Sequence, residues 1–260
     1  MQFLMRLVYP LLLRDKLTWR LKRFFPIRQE KNISLHFNPN IKLDLTKNDI
    51  GHQSIIYNGF YELPLTKAIL KLSQKGGTLI DVGANYGYFS VLWVGSNPSN
   101  TAIAFEASPL NIKPLINNIE KNGFANRVTI EPFALGEKIG NLSFSLGNKY
   151  GQTGWGGFAF GQSEDSIQVE VTTIDKYVDE KGLSEISVLK IDVEGADTWV
   201  IKGASKLIQE RRVKHIFYEE NIVRMIALGI KPNEAKDLLI DSGYVVDKIS
   251  EGEYHAYLRG

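Results

Sequence analysis

The sequence predicts an α/β protein: a doubly wound, mostly parallel, seven-stranded sheet of Rossmann-like form, with an inserted β-hairpin and a closing antiparallel hairpin. Three observations carry this reading. From about Ile33 onward, short apolar runs alternate with segments of helical periodicity, as in a parallel sheet covered on both faces. The residues that follow the runs' last apolar positions are acidic or glycine, where an open sheet presents its ligands. The last two runs have only Ser250, Glu251 and Gly252 between them, which permits only a hairpin.

Thr78 to Ala84 reads as the first central strand and Tyr86 to Gly95 as the helix after it. Residues 101 to 107 form the second strand, a helix runs from Pro109 to its C-cap glycine Gly123, and Val128 to Ala134 form the third strand. Asn141 to Leu146 and Ser166 to Thr173 then read as an inserted hairpin around a glycine-dense segment, residues 147 to 165. The alternation resumes with a strand at Ile186 to Val193, a helix over Thr198 to Arg212, a strand at His215 to Glu220 and a helix over Pro232 to Ser242. Tyr244 to Ile249 and Glu253 to Leu258 close the sheet. No period of 20 to 50 residues recurs, which excludes solenoids and propellers.

With 260 residues, 43% apolar and 23% charged, the chain suits one catalytic domain, residues 46 to 260, behind an N-terminal extension, residues 1 to 45. Charge is uneven. Residues 1 to 31 hold eight Lys or Arg against Asp15 and Glu30, giving +6 and leaving −4 for the rest of the net +2. A basic nucleic-acid face on the core is therefore not expected, and no nucleic-acid partner is assigned. The extension reads as a basic amphipathic helix with Leu17, Leu21 and Phe24 on one stripe and Lys16, Arg20 and Arg23 around it. Packing on protein is its plainer role and peripheral membrane contact the other. The apolar stretch Leu7 to Leu13 is too short to span a bilayer and lacks a cleavage site, so the protein reads as cytoplasmic. The absence of cysteine removes disulfides, thiolate metal sites and cysteine nucleophiles.

The segment from Asp81 to Gly87 is a tight strand-to-helix turn, and such turns bind three ligand classes. A dinucleotide fingerprint fails, because Asn85 and Tyr88 occupy the second and third glycine positions counted from Gly83. A triphosphate loop fails as well, since Tyr88 and Phe89 stand where lysine and a hydroxyl residue are required. Acidic Asp81, with no basic residue before Lys113, suits a cationic nucleoside without phosphate. S-adenosylmethionine carries that charge. Glu106, 25 residues on, stands where a carboxylate accepts from ribose hydroxyls, although both acids would also serve as helix caps.

DVGANYGYFS at 81 to 90, FEASP at 105 to 109 and LKIDVEGAD at 189 to 197 resemble the FkbM-type methyltransferases, with similarity starting near NGFYE at 58 to 62. The resemblance implies a class I methyltransferase fold, S-adenosylmethionine as donor, and transfer to a hydroxyl, often of a sugar or a natural product. It also implies that Asp81, Gly83, Asn85 and Gly87 line the donor's methionine end. Glu106 would hold the ribose, and Phe133, Ala134, Leu135 and Gly136 would lie near the adenine. Asp197 stands where the family commonly has glutamate.

Deprotonating a hydroxyl needs a base near the transferring methyl group. Asp192 and Glu194 close their strand at the carboxyl edge, and alternation would point both to one side. They are the candidate catalytic pair, Asp192 as base or acceptor-orienting group, against the plain alternative of helix-terminal carboxylates. Glu219 and Glu220 end the next strand and could join them around a divalent cation, which is less favoured than an unassisted base; no metal ligand is assigned. Lys190 reads as a paired or snorkelling lysine. Among the histidines, only His52 could cover the site, and a solvated loop position is the commoner case. Tyr150, Trp155, Phe158 and Phe160 would make the glycine-rich insert a lid over a small-molecule or glycan acceptor. The rival readings are a non-catalytic nucleoside-binding module and an NAD-linked oxidoreductase acting on a nucleotide sugar.

Overall fold

The computed structural model describes residues 2–24, 26–147, 153–158 and 166–259. The chain enters through a 3-10 helix at Gln2–Leu7 and α1 (Leu11–Leu21), followed by an antiparallel pair, β1 (Ile33–Ser34) and β2 (Lys42–Leu43). Helices α2 (Ile50–Asn58) and α3 (Leu63–Ser73) lead into β3 (Thr78–Val82). The alternation continues through α4 (Tyr88–Val94), β4 (Thr101–Phe105), α5 (Pro109–Lys121) and β5 (Val128–Glu131). The chain then builds a second sheet from β6 (Ala134–Leu135), β7 (Gly140–Ser145), β8 (Gly157–Phe158) and β9 (Ser166–Thr172). It returns by α6 (Ile174–Glu180) to β10 (Ile186–Ile191), α7 (Asp197–Lys202), α8 (Ser205–Gln209) and β11 (Val213–Glu219). Helices α9 (Ile222–Ala227) and α10 (Glu234–Asp241) precede β12 (Val245–Lys248) and β13 (Glu253–Tyr257).

The main sheet has seven strands in the order β12-β13-β11-β10-β3-β4-β5. Its four inner pairs from β11 to β5 run parallel, β13 pairs antiparallel with β12, as the short Ser250–Gly252 connection requires, and β13 also pairs antiparallel with β11. Strand alternation divides the core in two. Leu79, Ala102, Val188 and Phe217 face α3, α4 and α5 in one apolar cluster, while Ile80, Ile103, Leu189 and Ile216 face α6, α7, α8 and α10 in the other.

Four expectations change in detail. The third strand stops at Glu131, and Ala134–Leu135 joins the second sheet by pairing parallel with β9. The inserted hairpin, β7 with β9, is therefore the centre of a four-stranded sheet and not an isolated ribbon. The helix expected over 198 to 212 breaks into α7 and α8 at Gly203, where a Cβ would stand 2.1 Å from the Gly136 carbonyl oxygen. Close passage of two backbones, which single-sequence periodicity does not record, breaks the helix there. Finally, Ile33, Leu35, Ile41, Leu43 and Leu45 are buried in the same cluster as α4 and α5, so the stretch before residue 46 contributes to the core.

Candidate active site

The carboxyl ends of β3, β4, β10 and β11 open onto a cavity of about 560 Å³, at the point where the strand order changes direction between β3 and β10. This volume lies within the roughly 300–1,000 Å³ of small-molecule sites. Gly83, Asn85, Glu106, Ala134, Asp192 and Glu194 border it. Asp81 and Gly87 do not.

Asp81 sits one layer beneath, fully buried, accepting a hydrogen bond from Ser90 Oγ at 2.7 Å and pairing with Lys190 Nζ at 3.5 Å. The expectation that it lines the ligand is thus corrected: the side chain of a central-strand residue points into the α4 layer and reaches the site only through Lys190. Gly87 adopts φ +86° as the N-cap of α4, and a Cβ there would meet Leu115 Cδ1 at 2.6 Å, so its role is packing. Gly83 needs its glycine for a different reason. At φ +73° a Cβ would stand 2.0 Å from the Asp192 carbonyl oxygen, and Asp192 N–H donates to the Val82 carbonyl at 3.1 Å. The ends of β3 and β10 are clamped together at this point.

Glu106 ties the turn to the next helix. One carboxylate oxygen accepts from Asn85 N–H at 2.7 Å and the other from Ser108 N–H at 2.8 Å. Burial raises its carboxyl to about 7 against the lowering pull of these amides. Asn85 itself is held at φ +51°, and its Oδ1 lies 3.3 Å from His52 Nε2. Thr46 N–H donates to the other ring nitrogen, His52 Nδ1, at 3.4 Å, so the neutral imidazole carries its proton on Nε2 and donates to Asn85. His52 is therefore a buried wall of the cavity, not a solvated loop residue, and burial lowers its pKa. Phe133, Ala134 and Leu135 border the cavity as well, whereas Gly136 does not.

At the opposite wall, Asp192, Glu194 and Glu219 converge with Tyr61 and Glu62. Strand alternation is not what aligns the first two, because β10 ends at Ile191 and Glu194 adopts φ +55° in the turn that follows. Among the described residues, six non-glycine positions have positive φ, and three of them, Glu62, Asn85 and Glu194, border this cavity. Each costs on the order of 1–3 kcal/mol, a strain typical of sites where backbone geometry serves function.

The carboxylates raise one another. Burial and then Asp192 push Glu194 up to about 8, with Arg224 Nε at 3.4 Å opposing the shift. Burial and Asp192 likewise raise Glu219 to about 8, and Glu62 is pushed well above the usual carboxylate range by burial and the same neighbour. Lys190 stands at the centre, buried, 3.3 Å from Asp192 Oδ2 and 3.3 Å from the Gly83 carbonyl oxygen. Burial pulls its ammonium down, but Asp192, Asp81 and Glu62 more than offset that and hold it above its ordinary value. Asp197 accepts from the N–H of Glu219 at 3.0 Å and of Val193 at 3.4 Å, fixing both rims. Glu220 departs from the expected cluster: it accepts from Asn233 N–H at 3.0 Å and does not border the cavity. Among the described residues no three His, Asp or Glu side chains form a metal-ligating group.

Residues 153–158 cross the opening. Gly154 N–H donates to Asp49 Oδ2 at 3.1 Å, and the Trp155 carbonyl accepts from Arg224 Nη2 at 3.0 Å, so the strap is fastened to the start of α2 on one side and to α9 on the other. Trp155, 43% exposed, and Phe158 border the cavity, Phe158 also packing on Trp199 at 5.8 Å between ring centroids. Tyr150 and Phe160 lie outside the described residues.

The Methyltransferase FkbM domain family matches residues 81–228 of the chain. Methyltransferase 1 of Beauveria bassiana (strain ARSEF 2860) is 22% identical over 198 residues, which cover 68% of this chain and 74% of that protein. Among solved structures the chain is similar to the precorrin-6y C5,15-methyltransferase of Geobacter metallireducens GS-15, with TM-score 0.45 and 14% identity over 75% of this chain and 88% of the other. It is also similar to TrmK of M. capricolum, solved with S-adenosyl-homocysteine, with TM-score 0.42 and 11% identity over 74% of this chain and 66% of the other.

Proposed function

The chain belongs to the FkbM methyltransferase family and is an S-adenosylmethionine-dependent methyltransferase, and from that premise we propose O-methylation of a hydroxyl on a sugar, glycan or natural product. The observation that carries this reading is the convergence of Asp192, Glu194 and Glu219 on a cavity whose other wall holds the buried Glu106 carboxylate.

The residues present fit the donor. Glu106 retains oxygen lone pairs beyond those used by Asn85 and Ser108 N–H, and these accept from ribose hydroxyls. Ala134 and Phe133 give the flat apolar contact that a base needs, and the acidic wall answers a cationic methionine end. When bound, the donor supplies a methyl group made electrophilic by the attached sulfonium. The protein's own work is to orient the acceptor hydroxyl and take its proton. Asp192 is the group assigned to that proton, with Glu194 beside it, and the Trp155 strap excludes water and offers a ring face to the acceptor.

A screen with radiolabelled donor against glycans, small phenols, peptides and RNA is expected to label the hydroxyl-rich ring compounds. Exclusive labelling of peptide or RNA would refute the acceptor class while leaving donor binding intact.

Glu194 also predicts a pH dependence. Its carboxylate form is favoured above about pH 8, and Arg224 lowers that threshold. Arg224→Ala removes the opposing cation, so the Glu194 pKa rises and the ascending limb of kcat against pH moves to higher pH. A limb that stays in place would separate Glu194 ionisation from turnover.

A further inference from the structure

Between Leu4 and Arg20, Met5 and Leu11 are buried, but most of the large apolar side chains face outward. An amphipathic helix packed on a domain buries its apolar stripe, but α1 buries Leu11, Arg14 and Thr18 while Leu12, Leu13 and Trp19 stand exposed. The stripe expected from Leu17 and Phe24 is not the docking face either: Leu17 is half-buried, and Phe24 lies exposed in a separate 3-10 turn. The side chains of Leu21 and Arg23 lie outside the described residues.

Polar bolts hold the segment in place. Arg6 donates to the carbonyls of Ser34, Ile55 and Ile56 at 2.7, 3.1 and 3.1 Å, and Arg14 donates to the Asn58 carbonyl at 3.1 Å. Thr18 Oγ1 donates to Asn58 Oδ1 at 2.6 Å, and Lys22 Nζ donates to Gln53 Oε1 at 2.9 Å. The two guanidinium groups thus sit on the last carbonyls of α2, at the negative end of its dipole. Beside these bonds Met5 is buried and Leu11 packs on Phe60 and Leu63, while Leu4, Leu7, Tyr9, Leu12, Leu13 and Trp19 remain outside.

Those side chains are concentrated here. Of 17 exposed large hydrophobic residues among the described residues, seven fall between Leu4 and Phe24, and Leu7 and Tyr9 are 79% and 81% exposed. At 3.6 residues per turn, Leu12, Leu13, Lys16, Trp19 and Arg20 occupy one arc of about 120° on α1, with the two cations in its middle. Lys16 and Arg20 are both exposed, and Lys22 Nζ lies over the Trp19 ring at 4.2 Å from its centroid. A face that mixes leucine, an interfacial tryptophan and lysine or arginine is unsuited to a protein core. It matches a bilayer surface, where apolar groups enter the acyl boundary and cations meet anionic headgroups.

We propose that residues 4–20 form an outward-facing docking surface for an anionic lipid bilayer, bolted to α2 by Arg6, Arg14 and Thr18. The charge complementarity is local: with Arg6 and Arg14 turned onto α2, Lys16 and Arg20 are the exposed cations of this face, whereas the chain beyond residue 31 carries a net −4. None of the described helices is long and apolar enough to cross a membrane, so the attachment is to the surface. Because the 3-10 helix and α1 both pack on α2, whose capping Asp49 and whose His52 border the cavity, the docked face and the active site share one helix.

The test is co-sedimentation of the full chain with vesicles of phosphatidylcholine alone or with about one-quarter phosphatidylserine. Binding is expected only to the anionic vesicles and is expected to weaken as salt rises. Lys16→Glu with Arg20→Glu, and separately Leu12→Ser with Leu13→Ser, should each reduce binding at least tenfold while S-adenosylhomocysteine affinity and melting temperature stay at wild-type values. All four positions are exposed and lie outside the polar bolts, so folding is preserved. Equal binding to both vesicle types, or undiminished binding by either folded variant, would overturn the proposal. So would a concentration-dependent dimer that the same substitutions dissolve, which would assign the face to a second copy of the chain.

Discussion

Glu106→Ala is expected to weaken S-adenosylhomocysteine binding by about 10- to 100-fold, the effect of losing a charged acceptor and leaving the amides it served without partners. The substitution removes a carboxylate that both faces the cavity and holds Asn85 N–H and Ser108 N–H, so the donor wall and the turn lose order together. Glu106→Gln separates the two effects, because the amide oxygen still accepts from one N–H while the charge is gone. The pH dependence gives a further readout. Ribose hydroxyls donate to the ionised form, and the Glu106 carboxyl, raised by burial to about 7, takes up a proton below that pH. Wild-type affinity should therefore fall as pH drops through 7 toward 5. The Glu106→Gln protein should lose the Glu106 share of that slope. Titration calorimetry at several pH values measures both, and a folded Glu106→Ala protein with wild-type affinity would remove Glu106 from the donor site.

The positions of the central strands along the chain were legible in the sequence because each strand ends abruptly in a change of chemistry. Asp81 with Gly83, Glu106, Asp192 with Glu194, and Glu219 all follow β-branched or aromatic runs, and period-two alternation inside those runs matches the two-sided core. What the sequence could not show is which side of a strand end a side chain takes. Asp81 and Glu106 look alike on paper. Asp81 lies within β3, where the pleat turns it toward Ser90 and Lys190, and Glu106 lies one residue past β4, where the chain has turned into the opening.

The remaining wall residues come from segments with no strand-end signature. Asp49 and His52 belong to the first turn of α2, and the useful signal was the capping pattern of Asp49, whose carboxylate accepts from His52 N–H at 3.0 Å. Tyr61 and Glu62 follow the C-cap glycine Gly59 at φ +81° and lie within the NGFYE segment, which carried a resemblance but no assigned chemistry. Arg224 enters from α9, far from any motif, and only the fold brings it to Glu194. The Arg224–Glu194 contact joins elements 30 residues apart and the Gly154–Asp49 bond elements 105 apart, and a single sequence does not encode such contacts locally.

Asp192→Asn is expected to lower kcat by about 10²- to 10⁴-fold, the usual contribution of a positioned base, with S-adenosylhomocysteine affinity within about twofold of wild type. The asparagine has the shape of aspartate and keeps an oxygen toward Lys190 Nζ, which still has Asp81 as an ionic partner. The backbone clamp also survives, because Asp192 N–H bonds to the Val82 carbonyl and its own carbonyl packs on Gly83 whatever the side chain. Loss of turnover would then report the carboxylate's chemistry and not collapse of the turn. A second readout distinguishes this from a merely structural defect. Asp192 is among the groups that raise Glu194 and Glu219 to about 8, so removing its charge lets both ionise at lower pH. The residual rate should therefore ascend at lower pH than in wild type, opposite in direction to the Arg224→Ala shift. If the Asp192→Asn protein keeps more than about a tenth of wild-type turnover, the proton falls to Glu194 instead, and Glu194→Gln becomes the variant that must abolish the reaction.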